Sequence, residues 1–63
     1  MNLLRLTRAN DRKNLYINPK EIVSMESYGS QTLILAQGQK YYVIESPEDI
    51  IYTIDSRQNK TNS

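Results

Sequence analysis

The sequence predicts a β-dominated α+β fold, a small antiparallel sheet of four to five short strands with one C-terminal helix packed on it. Three observations lead there. Short apolar runs alternate with polar residues at a period of two from Leu3 to Ile44. Turn-forming residues interrupt them at Asn10-Asp11, Asn18-Pro19, Tyr28-Gly29-Ser30 and Gln37-Gly38. Beyond Ser46-Pro47, Ile50, Ile51 and Ile54 recur at helical spacing.

The first strand is predicted over Leu3 to Thr7, with Leu4 and Leu6 alternating against Arg5 and Thr7. A polar loop follows, and Leu15 to Ile17 returns as the second strand of a hairpin. Asn18-Pro19 ends that strand, because proline has no N–H for a ladder and holds its predecessor extended. Ile22 to Ser27 is the third strand, with Val23 and Met25 facing one way and Ser24 and Glu26 the other. Thr32 to Ala36 and Gln39 to Ile44 form a closing hairpin around Gln37-Gly38, where glycine suits a positive backbone angle.

Ser46 is the expected helix cap, Pro47 fits the first helical position, and Glu48 and Asp49 complement the positive end of the helix dipole. The helix is predicted to run from Pro47 to about Ser56. It is too short to persist alone and must pack on the sheet. Residues 1–56 therefore read as one domain. Residues 57–63 read as a polar tail, disordered or a frayed extension of the helix.

A chain of 63 residues lies near the lower limit for independent folding. Such a chain buries only about 60% of its unfolded surface. With no cysteine and no histidine, it has neither a disulfide framework nor the usual ligands of structural zinc. Close packing or self-association must supply the difference, and a homo-oligomer is expected. Eight basic residues against seven acidic ones leave a formal charge of +1, with both signs scattered along the chain. That balance gives no long-range field for a polyanion or a membrane. No apolar run reaches the length of a signal sequence or a membrane span, so the expected location is cytoplasmic, without membrane insertion. Asn59-Lys60-Thr61 matches a glycosylation pattern, which is read as chance in this setting.

Catalytic chemistry has little to work with. Nucleophilic catalysis needs an activated serine, cysteine or threonine beside a base, and the serines here fall in turns and caps. Glu48 and Asp49 are adjacent and diverge on a helix, while Glu26 and Glu45 are single carboxylates read as solvated. The two glycines are each explained by a turn, which leaves no phosphate-binding loop. The expectation is a non-enzymatic protein with no cofactor, no metal and no small-molecule substrate.

Two binding surfaces can be drawn. If Leu33, Leu35, Tyr41 and Val43 form the face beneath the helix, the opposite face carries Ile34, Tyr42, Ile44 and Tyr16. One short helix covers only one side of a sheet, so the other presents a partly aromatic patch suited to a protein partner or a second copy. On that reading, a charge at Tyr42 or Ile34 disrupts association without unfolding the domain. The alternative surface is basic: Arg5, Arg8, Arg12 and Lys13 lie in the first hairpin with Tyr16 nearby, a combination able to hold phosphate and stack a base.

Taken in order, these features resemble the small flagellar FlbD-like proteins, also called the SwrD swarming-motility family, from about Leu6 to Ile54. Leu6-Thr7-Arg8-Ala9-Asn10 is similar to that family's Thr-Arg-Leu-Asn-Gly opening. Tyr16-Ile17-Asn18-Pro19 with Glu21-Ile22 resembles its strand, Asn-Pro turn and next strand. Gly38-Gln39-Lys40-Tyr41 through Val43, then Glu45-Ser46 and the isoleucine helix, resemble its closing hairpin, Glu-Ser cap and short helix. Asp11 stands where the family's turn glycine is expected, the first loop is one residue longer, and Tyr28-Gly29-Ser30 replaces a Thr-Pro-Asp turn. The resemblance implies a non-enzymatic motility factor supporting flagellar motor power, and the expected role is a small protein-interaction module of that type. Small proteins of this shape also occur in phages and mobile elements, which makes an accessory role there the alternative. Ile22 to Ile54 more distantly resembles the core of LytTR-type DNA-binding domains, through Met25-Glu26-Ser27-Tyr28-Gly29 and Tyr41-Tyr42-Val43. That likeness keeps nucleic-acid binding as a second alternative.

Overall fold

The computed structural model describes the backbone of residues 3–60 and the side chains of residues 3–57. Five strands and one helix follow in chain order: β1 (Leu4–Thr7), β2 (Asn14–Ile17), β3 (Ile22–Tyr28), β4 (Gln31–Ala36), β5 (Gln39–Val43) and α1 (Pro47–Lys60). The strands form two antiparallel sheets, the hairpin β1-β2 and the meander β3-β4-β5. The two join where β1 runs out beside β5. Arg8 bridges Val43, the Ile44 N–H donates to the Thr7 carbonyl at 3.0 Å, and the Ala9 N–H donates to the Tyr42 carbonyl at 2.8 Å.

Alternation along the strands sends one set of side chains inward. Leu4, Leu6, Ile17, Ile34, Val43 and Ile50 form the buried core, with Leu15, Ile22, Met25, Ala36, Tyr41 and Ile54 packed around it. Ile34 and Val43 are wholly inaccessible. This reverses the expected face of β4, because Ile34 lies inside and Leu33 and Leu35 do not join the core. The reason is parity. A two-residue Gln37-Gly38 turn pairs Ala36 with Gln39, which sets Ile34 opposite Tyr41 and Leu33 opposite Tyr42. Directly opposed residues share a face, so Tyr41 and Val43 carry Ile34 and Thr32 inward with them. Ile34 is therefore a core residue and is withdrawn from the contact surface.

β3 departs from simple alternation in the same way. Its register with β4 shifts between Ile22 and Ser24, a bulge that leaves Val23 exposed and returns Met25 to the core side. Val23 and Met25 thus do not share a face as expected. The Asn18-Pro19 stop is a short 3-10 turn over Pro19–Glu21, in which the Asn18 side chain accepts the Lys20 N–H at 3.0 Å. Gly38 sits at a φ of 75°, the left-handed region in which a β-carbon would be strained.

The helix starts as expected. Ser46 Oγ accepts the Asp49 N–H at 3.1 Å and the Ser46 carbonyl accepts the Ile50 N–H at 3.0 Å. It continues four residues past Ser56, to Lys60. No glycine or proline follows Ser56 to stop it, and the Arg57 guanidinium donates to the Leu3 carbonyl at 2.9 Å, tying the last turns to the entry of β1. Residues 61–63 and the glycosylation-like Asn59-Lys60-Thr61 side chains lie outside the described residues. Ile50 and Ile54 face the core, whereas Ile51 is about half exposed and does not belong to the buried stripe.

The loop between β1 and β2 holds the one non-glycine residue at positive φ among those described, Arg12 at 63°. The Arg12 N–H donates to the Arg8 carbonyl at 3.0 Å, and Asp11 Oδ1 accepts the Lys13 N–H at 3.1 Å, so the loop closes around it. A left-handed conformation costs an L-residue about 1–2 kcal/mol, part of which glycine gives back as backbone entropy. Arg12→Gly is expected to raise the unfolding free energy by about 0.5 kcal/mol or leave it unchanged. Arg12→Val, β-branched, is expected to lower it by more than 1 kcal/mol, roughly. Chemical denaturation of the two variants checks the order.

Candidate functional site

Exposed rings stand on three strands, Tyr16, Tyr28 and Tyr42, and on α1, Tyr52. Tyr42 is opposed to Leu33, Tyr28 to Gln31, and Tyr16 to Arg5, all at positions that alternate away from the core. Ile44 follows β5 beside Thr7 and is also exposed, as are Tyr16, Tyr28 and Tyr42. Of the four residues assigned to a contact surface from sequence, Tyr16, Tyr42 and Ile44 are thus accessible and Ile34 is not.

Tyr28 was not foreseen as part of this surface. Its place beside Gly29 marks it as a turn residue, but β3 extends through it and pairs it with Gln31. The rings of Tyr28 and Tyr42 meet edge to face, with centroids 5.5 Å apart and planes inclined by 60°. Two tyrosines at outward-alternating positions of β3 and β5, on either side of β4, are the sequence signal for such a pair.

Beside these rings, the backbone pairing of Ala9 with Tyr42 brings the β1-β2 loop alongside β5 and leaves an open cleft of about 410 Å3. Arg8, Ala9 and Asn10 form one wall, Lys40, Tyr41 and Tyr42 the other, and Tyr28 and Gln31 the end. Arg8 keeps one ionic partner, Asp11, at 3.6 Å, with both side chains substantially exposed.

Of the four basic residues of the nucleic-acid alternative, Arg8, Arg12 and Lys13 share the β1-β2 loop, joined by the Arg8–Lys13 and Arg12–Arg8 backbone hydrogen bonds, and Arg5 lies on β1. Arg8 lines this cleft, whereas Arg5 lines a smaller one of about 200 Å3 with Glu45, Asp49 and Arg57. Arg12 and Lys13 line neither.

Carboxylates are placed for structure. Glu48 and Asp49 occupy the first turn of α1. Glu45, expected to be solvated, instead accepts the Thr7 N–H at 3.0 Å through Oε1 and the Thr7 hydroxyl at 2.9 Å through Oε2. Its own carbonyl accepts the hydroxyl of buried Thr32 at 2.6 Å. The shape of the chain explains the difference: β5 ends against β1, and the residue leading into the helix cap is the one that meets Thr7. Among the described residues, no group of three or more acidic, histidine or cysteine side chains is arranged to hold a metal ion. No helix among them is long and apolar enough to cross a membrane.

A family model described as FlbD, flagellar and swarming motility proteins, matches residues 3–61, nearly the whole chain. No curated protein and no solved structure matches it.

Proposed function

Given that this chain belongs to the FlbD family of flagellar and swarming motility proteins, we propose that it is a non-enzymatic module acting in motility by binding another protein through the outer face of its sheets. The observation that supports this reading is the Tyr28–Tyr42 pair, whose rings meet edge to face and are both exposed, with exposed Ile44 two residues beyond Tyr42. Tyrosines at the centre of a surface patch supply large contact area with little rotamer entropy to lose, and they recur among the residues that dominate binding energies. The working parts are main-chain pairing and apolar contact.

The fold leaves Tyr42 free to change. Its side chain is 41% exposed, and its backbone pairing with Ala9 does not depend on the ring. Tyr42→Asp is expected to keep the folded circular-dichroism spectrum while abolishing the restoration of swarming in a strain lacking the protein. Tyr42→Phe, which keeps the ring, is expected to restore it. Normal swarming by folded Tyr42→Asp removes this face from the function. Sedimentation of the wild type and of Tyr42→Asp separates a heterologous partner from a second copy: a concentration-dependent mass lost in the variant indicates self-association through the same face.

A further inference from the structure

The cleft beside β5 carries charge of one sign. Arg8 and Lys40 line it, and no Asp or Glu among the described residues does. Four of the seven carboxylates, Glu45, Glu48, Asp49 and Asp55, lie on α1 and the link before it, whereas Asp11 pairs with Arg8 and exposed Glu26 stands on β3 two residues before Tyr28. A net charge of +1 therefore conceals a locally cationic site. The two cations are available. Lys40 is exposed and has no ion pair among the described residues, and the Arg8–Asp11 pair is too exposed to hold Arg8 firmly against a competing carboxylate.

We infer that this cleft binds an acidic segment of a protein partner, with carboxylates on Arg8 and Lys40 and an apolar side chain of the same segment against the edge-to-face Tyr28–Tyr42 pair. The inference deepens the binding-face reading and rests on it. A volume of about 410 Å3 suits one or two side chains of an inserted segment. Nucleic acid fits less well. Tracking a phosphate backbone requires a line of cations, and of the basic residues only Arg8 and Lys40 line the cleft.

The test is a titration of isotope-labelled protein, followed by amide chemical shifts, with a short peptide of alternating aspartate and leucine. Matched peptides carry asparagine or lysine in place of aspartate, and oligothymidylate stands for nucleic acid. The aspartate peptide is expected to move the amides of Arg8 to Asn10 and Lys40 to Tyr42, and to bind about tenfold more weakly to Arg8→Glu/Lys40→Glu. That double variant is expected to prefer the lysine peptide. Asp11→Asn, which frees Arg8, is expected to tighten binding of the aspartate peptide. Both exchanged cations are exposed, so the variants retain the fold, and their own amide dispersion verifies this. Equal binding of aspartate and asparagine peptides, no shift from either, or tighter binding of oligothymidylate overturns the assignment. Swarming tells the two levels apart. If Arg8→Glu/Lys40→Glu swarms normally while Tyr42→Asp does not, the acidic partner is wrong and the binding face stands. Normal swarming by both removes the face as well.

Discussion

Ile34→Asp is expected to unfold the domain outright. Ile34 sits at the centre of β4, opposed to Met25 on one side and Tyr41 on the other, with no accessible surface. A chain of this length has a total stability of about 3–9 kcal/mol. Truncating a buried isoleucine to alanine alone costs about 2–5 kcal/mol. An aspartate adds a carboxylate with no buried cation to receive it, and desolvating that charge exceeds what remains. The variant should show collapsed amide dispersion and no cooperative melt at ambient temperature. Ile34→Val, which removes one methyl, should melt cooperatively with a loss of about 1 kcal/mol. A folded Ile34→Asp with altered self-association would return this residue to the surface and refute the observed register.

That residue also marks how far the sequence carries. Each strand lies within one residue of its expected bounds at each end, with Ile44 falling just after β5. The cap at Ser46 and both glycine turns are where local chemistry puts them. These features are decided by a few adjacent residues, so a local reading recovers them. The faces of β4 are not local, since Leu33, Ile34 and Leu35 are all apolar and their pattern alone gives no alternation. What assigns the faces is the count of residues in the Gln37-Gly38 turn, which obliges an even-numbered position to oppose an odd one. The bulge at Val23 needs the partner strand to be visible, and the extension of α1 past Ser56 depends on Arg57 finding Leu3. For the binding surface, exposure of Tyr16, Tyr42 and Ile44 was legible because each alternates against an inward neighbour. The cleft was not, because it exists only where the β1-β2 loop lies along β5.

The Thr7–Glu45 contact leads to the second large effect. These residues are 38 apart in sequence, and the carboxylate receives both the backbone N–H and the hydroxyl of Thr7. β1-β2 and β3-β4-β5 share only a short stretch of pairing near Arg8 and Val43, so this carboxylate is a principal polar tie between the sheets. Hydrogen bonds to a charged group contribute about 1.5–3 kcal/mol each when partly shielded from water, and their loss is not fully additive. Glu45→Ala is therefore expected to lower the unfolding free energy by about 2–3 kcal/mol, a large share of the total for so small a domain. Glu45→Gln preserves the shape, with its amide oxygen accepting the Thr7 N–H and its NH2 donating to the hydroxyl oxygen, and should cost about 1 kcal/mol. Thr7→Val removes the hydroxyl alone. Combined with Glu45→Ala in a double-mutant cycle followed by chemical denaturation, it should show a coupling of about 1 kcal/mol. A coupling near zero would mean that the hydroxyl bond adds nothing to the tie, leaving it to the Thr7 N–H bond, the backbone pairing near Arg8 and Val43, and apolar contact across Leu4, Leu6 and Val43. The loss in Glu45→Ala would then come from the Thr7 N–H left without its carboxylate, because the Thr32 hydroxyl bonds the Glu45 backbone carbonyl, which alanine keeps.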